Sequence, residues 1–193
     1  MELSDPKAIR ALAHPLRLDL LDLLVTISPA TAAQCGRILG VSQANCSFHL
    51  RQLAKYGFVE DAGPGRDRRE RQWRVPDPRP TVRITEGSDA VLRHQLERVV
   101  VERETAAILD YLERKDDESP ALPKAGIMTA LAVVSADDVA EIREKWKALL
   151  EPYLARTEAS SHLRPGQRHV RYFLAATPLP DLGPGDGENE SDN

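Results

Sequence analysis

Apolar positions recur at helical spacing four times before residue 58. Ile9, Leu12 and Ala13 mark the inward side of a first helix, capped by Ser4 or Asp5 with Pro6 at a favoured first position. His14-Pro15 interrupts it, and Pro15 opens a second helix. Leu16, Leu18, Leu20, Leu21, Leu23 and Leu24 give that helix too many apolar positions for a single exposed face, so it is predicted to be central to a core before Ser28-Pro29 ends it. Thr31 is a predicted N-cap for a third helix, with Ala32, Ala33, Cys35, Ile38 and Leu39 on its buried side. Gly40 supplies a left-handed stop and Ser42 caps a fourth helix. In that helix Cys46, Leu50, Leu53 and Ala54 face inward, while Asn45, Phe48, Gln52 and Lys55, flanked by Arg51, face outward until Gly57. Two short helices across a tight glycine turn are the helix-turn-helix arrangement.

The pattern then changes to that of strands. Residues 58–62 and 71–75 read as a hairpin, with Trp73 and Val75 on one side and Gln72 and Arg74 on the other. Gly63-Pro64-Gly65 supplies turn chemistry between them. The tip carries Arg66, Arg68, Arg69 and, at its edge, Arg71, with Asp67 and Glu70 among them. Taken alone this is a solvated charged loop. Directly after a helix with a polar outer face it is a wing, whose arginines neutralise phosphates or enter a narrow minor groove.

Pro76, Pro78 and Pro80 form a stiff connector, and Thr81–Ile84 a brief strand. A long helix is predicted from Ser88 or Asp89 to about Lys115. Leu92, Leu96, Val99, Val100 and Ala107 line one side of it; Val101, Ile108 and Leu112 line another. Two apolar sides require two partners, found either within one domain or on a second subunit. After a polar loop at 116–123, residues 127–134 read as a strand, and Ser135 caps a helix with Asp137 and Asp138 in its first turn. Val139, Ile142, Trp146, Leu149 and Tyr153 make a seam along it. Residues 169–176 read as a last strand, paired with 127–134. Met128, Trp146, Tyr153, Tyr172 and Phe173 either frame an apolar effector pocket or form the core of a dimerisation module.

The predicted fold class is therefore α+β, mainly helical: an N-terminal winged helix-turn-helix followed by an α/β dimerisation and effector module. The expected organisation is a DNA-binding domain at 1–76, a linker at 77–87, the second domain at 88–178 and a disordered acidic tail at 179–193.

Composition narrows the function classes. Of 193 residues, 41 % are hydrophobic and 29 % charged, with no apolar run of membrane-spanning length and no signal-peptide core at the N-terminus. Two cysteines make no disulfide framework, so a reducing cytoplasm is expected. The net charge of −4 conceals an asymmetry: residues 1–80 carry 12 basic and 9 acidic side chains, the remainder 14 and 21. A basic first domain on an acidic body can still engage a polyanion, because screening confines charge effects to about 8–10 Å. No phosphate-binding glycine loop or activated nucleophile is apparent and the five histidines are scattered, so neither an enzyme nor a cofactor is expected.

Ala11–Leu18 (ALAHPLRL), Leu39–Gln43 (LGVSQ), Ser47–Leu53 (SFHLRQL) and Gly57-Phe58-Val59 together closely resemble the ArsR-type winged helix-turn-helix repressors of bacteria. The resemblance covers roughly residues 5–76. It implies a dimeric transcriptional regulator, a repressor reading a pseudo-palindromic double-stranded operator, with Ser42, Gln43, Asn45, Ser47, Phe48 and Arg51 facing the groove. The chain departs from the metal-sensing members, which carry Cys-x-Cys on the helix before the turn; here Ala33-Gln34-Cys35-Gly36-Arg37 has one cysteine. Cys35 and Cys46 fall on predicted core faces, and no metal site is expected. Gln43, Asn45 and Ser47 are expected to read base edges; Arg51, Lys55 and the wing arginines are expected to hold phosphates. Phe48 either covers a thymine methyl or leans on the wing strands. A winged helix used only for protein–protein docking is the competing reading.

Overall fold

The computed structural model describes residues 5–65, 70–76, 89–113, 126–159 and 164–179, together with the backbone of 2–3 and 83–84. Helix α1 (Pro6–Leu12) starts on Asp5, whose carboxylate accepts from the Lys7 amide at 2.9 Å. Helix α2 (Pro15–Ile27) carries Leu20 and Leu24 fully buried and Leu16, Leu18, Leu21 and Leu23 half-buried, as its leucine density requires. Helices α3 (Ala32–Leu39) and α4 (Gln43–Lys55) follow, separated by a three-residue turn.

Thr31 and Gln34 cap α3 reciprocally. The Gln34 amide donates to Thr31 Oγ1 at 3.2 Å, and the Thr31 amide donates to Gln34 Oε1 at 2.8 Å. Gly40 closes α3 at φ 68°. Gly36 carries the close approach across the turn: a Cβ there would meet the Val41 carbonyl oxygen at 2.6 Å. Its own carbonyl accepts from the Val41 amide at 3.0 Å. Ser42 caps α4 as expected, its hydroxyl accepting from the Asn45 amide at 3.2 Å.

Two strands lie before α1 and in the connector: β1 (Glu2–Leu3) runs parallel to β5 (Arg83–Ile84). The wing is the hairpin β3 (Glu60–Pro64) and β4 (Arg71–Arg74), with a bulge between Asp61 and Gly63. Phe58 and Val59, expected within its first strand, precede it and are buried in the core. A two-residue strand unforeseen from the sequence, β2 (Ala30–Thr31), pairs antiparallel with β4, giving the order β2-β4-β3. Ile38, expected on the buried side of α3, is a correction: 57 % exposed, it faces water, and Gly36 is buried beside the start of α4 instead.

Helix α5 (Ala90–Glu113) lays Leu92 and Leu96 into the same core as Ile9, Leu12, Leu50, Leu53 and Trp73. Its second side, with Val101, Ile108 and Leu112, is exposed. Helix α6 (Ala136–Ala159) is capped by Ser135, whose hydroxyl accepts from the Asp138 amide at 3.2 Å. In its seam only Val139 and Trp146 are half-buried, whereas Ile142, Leu149 and Tyr153 are exposed.

The strands expected at 127–134 and 169–176 do not form: both segments lie outside regular structure and are exposed. Their sequences fit a pleated surface, but a strand needs the edge of another, and the described part of this chain gives them none. The expected tail lies outside the described residues except for Leu179, as does most of the expected linker. Among the described residues, no helix is long and apolar enough to cross a membrane.

Candidate nucleic-acid interface

Helix α4 is two-faced, and its faces are set by what lies beneath it. Cys46, Leu50 and Leu53 are fully buried, fixing the helix against α2 and α3. That orientation leaves Ser42, Gln43, Asn45, Arg51 and Lys55 exposed and Ser47 and Gln52 half-buried. Phe48 is 51 % exposed and meets the edge of His49 at 5.1 Å. The first turn of α4 therefore offers an amide pair at Gln43 and Asn45 on an open surface. The positive end of its dipole lies there too. Cations follow at Arg51 and, in the last turn, Lys55. A helix of this width, bearing amides and a guanidinium, matches the dimensions and donor–acceptor pattern of the DNA major groove.

The wing stands beside it. Arg71 is held by Asp61 at 2.9 Å and lies 5.6 Å over the Trp73 ring. Arg74 donates to Glu60 at 2.6 Å. Both pairs are half-exposed, so solvent screens them and each contributes little to stability. They do partly neutralise two of the wing's cations. An open hollow of about 530 Å³ separates wing from helix, bordered by Arg51, Gly57, Asp61, Arg71 and Trp73. Arg66, Arg68 and Arg69 lie outside the described residues.

Two histidines taken as scattered in the sequence meet under α4. His49 is buried, and its ring centroid lies 4.3 Å from that of His14, the residue just before α2. Nδ1 of each ring and Nε of Arg17 are buried without a hydrogen-bond partner among the described residues. Burial, then the neighbouring Arg17, pushes the His14 pKa down, against a smaller opposing pull from Asp19. Burial, then His14 and Arg17, lowers that of His49. No local pattern announces such a pair, because its members belong to different helices.

Cys35 and Cys46 are both fully buried. Burial, and secondarily the proximity of Cys46, pushes the Cys35 thiol up to about 11. Both are inert, core-packed thiols. Among the described residues no group of three or more His, Cys, Asp or Glu side chains is placed to hold a metal ion.

The residues named for an effector pocket are not gathered into one. Trp146 and Tyr172 meet edge to face at 6.1 Å, and Arg156 lies over Tyr153 at 4.9 Å. Met128 is 90 % exposed, and Phe173 is also exposed.

An ion cluster joins the head to the rest of the chain. Arg103 of α5 donates to Asp22 of α2 at 2.9 Å and to buried Glu104 at 2.6 Å, with Asp19 at 3.5 Å. Arg171 reaches Asp22 at 2.8 Å and Glu104 at 3.6 Å. Burial raises the Asp19 pKa, partly offset by Arg103.

Leu12 to Ala62 match the model of a helix-turn-helix domain. With the β3–β4 hairpin placed after α4, the head is a winged helix-turn-helix. The chain is 39 % identical over 70 residues to a probable mercury resistance operon repressor from Streptomyces lividans. That match covers 36 % of this chain and 53 % of the relative, so the chain spans about half the length of the curated relative it matches. Among solved structures, the PcaV transcriptional regulator from Streptomyces coelicolor, in complex with its natural ligand, is 15 % identical with a TM-score of 0.33, covering 52 % of this chain and 72 % of that one. MarR from E. coli in its apo form is 17 % identical with a TM-score of 0.31, covering 75 % and 88 %. At these scores no common whole-chain fold follows.

Proposed function

We propose that the chain is a sequence-specific DNA-binding transcriptional regulator of the ArsR type, acting in the cytoplasm as a dimeric repressor on a pseudo-palindromic operator. The observation that carries this is the split character of α4. One side is locked into the core by Cys46, Leu50 and Leu53, while Gln43, Asn45 and Arg51 stand open on the other. In this reading α4 lies in the major groove, where Gln43, Asn45 and Ser47 contact base edges and Phe48 covers a thymine methyl. Arg51, Gln52 and Lys55 fix the helix on the backbone, and the wing, through Arg66, Arg68, Arg69 and Arg71, holds flanking phosphates or the minor groove. The repressor named among the relatives supports the same role. Its mercury is not carried over, because Cys35 and Cys46 are sealed in the core.

Residues 1–76 are the DNA-binding domain, and 88–178 pair two copies so that their recognition helices sit about 34 Å apart, one turn of DNA. Effector binding in the second half belongs to the same proposal. Selection of bound duplexes from random DNA tests it. A recovered inverted repeat with half-sites one turn apart is the expected result. Equal retention of all duplexes at near-physiological salt overturns it.

A further inference from the structure

Residues 126–134, helix α6 and residues 169–176 hold apolar side chains that one chain leaves in water. Leu131 is 82 % exposed and Val133 fully so; Ile142, Leu149 and Leu154 of α6 and Tyr172 and Leu174 beyond it are also exposed. So many exposed apolar side chains are more than a monomer usually leaves in water, and a standard interface covers about 800 Å² on each partner.

We propose that residues 126–134, α6 and residues 169–176 are half of a sheet-and-helix layer, completed by the same three segments of a second copy. The two copies interleave as a four-stranded sheet with both α6 helices on one face. The proposal rests on the paired regulator above and names the surface that pairs it.

The order is strand-like segment, 24-residue helix, strand-like segment. A crossover of that length serves parallel strands of one sheet. Residues 127–134 are apolar at every position but Thr129, the composition of a strand covered on both faces. Two neighbouring residues, Arg171 and Tyr172, already face opposite ways. Arg171 points to Asp22 and Glu104 on the head side, and Tyr172 points to Trp146 of α6 on the other. One copy can supply two strands, and a lone two-stranded ribbon is marginal in water. A second copy supplies two more of the same apolar character and doubles the helix layer.

Amide hydrogen exchange of the full chain, followed across a dilution series together with its mass in solution, tests this. Amides of 127–134 and 169–176 are expected to exchange at least about 100-fold more slowly than open chain in the dimer, and to lose that protection as it dissociates. The double variant Val133→Asp, Leu174→Asp is expected to be monomeric with the thermal unfolding of the head retained. A dimer whose two segments exchange as open chain places the interface elsewhere, ending this proposal but not the paired regulator. A monomer with protected segments means that they pair within one chain, and also ends it. A monomer with open segments at every concentration ends both readings. A double variant that remains dimeric overturns the proposal; if that variant fails to fold, exchange in the unaltered chain decides.

Discussion

The imidazole rings of His14 and His49 lie 4.3 Å apart, centroid to centroid, and their buried Nδ1 atoms have no hydrogen-bond partner among the described residues. The charge of Arg17 lowers the pKa of both rings, and Asp19 opposes it at His14. The folded state therefore holds both rings neutral below the ordinary histidine pKa of about 6.5. As pH falls through that value the unfolded chain takes up protons and the folded chain resists, so stability is full above about 6.5 and is lost below it. Urea midpoints should be level between about pH 7 and 8 and drop steadily toward pH 5. The His14→Asn variant should flatten the drop, and an unchanged slope in it would remove the pair as its origin.

Gly36 shows the geometry at its tightest. Alanine normally favours a helix interior by about 1 kcal/mol over glycine. Here the added Cβ meets a backbone oxygen at 2.6 Å, and a carbonyl cannot swing aside as a side chain can. Gly36→Ala is expected to destabilise the head by about 1–3 kcal/mol, measured by denaturant unfolding. A gain in stability would show that the turn yields freely.

On DNA, base reading and backbone holding should separate. Asn45→Ala or Gln43→Ala is expected to cost about 1–3 kcal/mol on the preferred operator and to relax base choice at one position. Asp61→Asn releases Arg71 from its 2.9 Å pair. Binding to all duplexes should tighten, and the dependence on log salt should steepen by about 0.9. Affinity titrations at several salt concentrations distinguish the two. Loss of affinity in Asp61→Asn would mean that the carboxylate positions Arg71 for its contact.

In the ion cluster, Arg103 serves three carboxylates, one of which, Glu104, is buried. Arg103→Met leaves Glu104 with Arg171 at 3.6 Å as its remaining cation among the described residues. A cost of about 3 kcal/mol is expected, seen in thermal unfolding, because an under-compensated buried charge is left behind. Arg103→Met combined with Glu104→Leu should recover most of it. A double variant as unstable as the single would place the loss in packing instead.

Much of the head was legible because its instructions are local. Ser42 caps α4, Gly40 stops α3, and the Cys46, Leu50, Leu53 stripe turns Asn45 outward, each dictated by neighbours within a few residues. Ile38 misled because the end of a short helix fits two faces equally well. The His14–His49 and Arg103–Asp22 contacts were illegible because they depend on how helices meet. Residues 127–134 and 169–176 failed differently: an apolar, β-prone composition states that a segment can be a strand, but pairing belongs to two edges at once. The wing arginines 66, 68 and 69 remain a reading of the sequence, supported by the hairpin on either side of them.

The pairing of Ala30 with Trp73 and of Thr31 with Gln72 ties the wing to the very residue that caps α3. Hairpin and helix are thus joined through the backbone, like the two arms of one jaw. With α4 in the groove and the wing on the flank, as proposed, inserting one base pair between the two contacts should forfeit one set of them, since the backbone pairing of wing and helix cap leaves little play to follow the longer site.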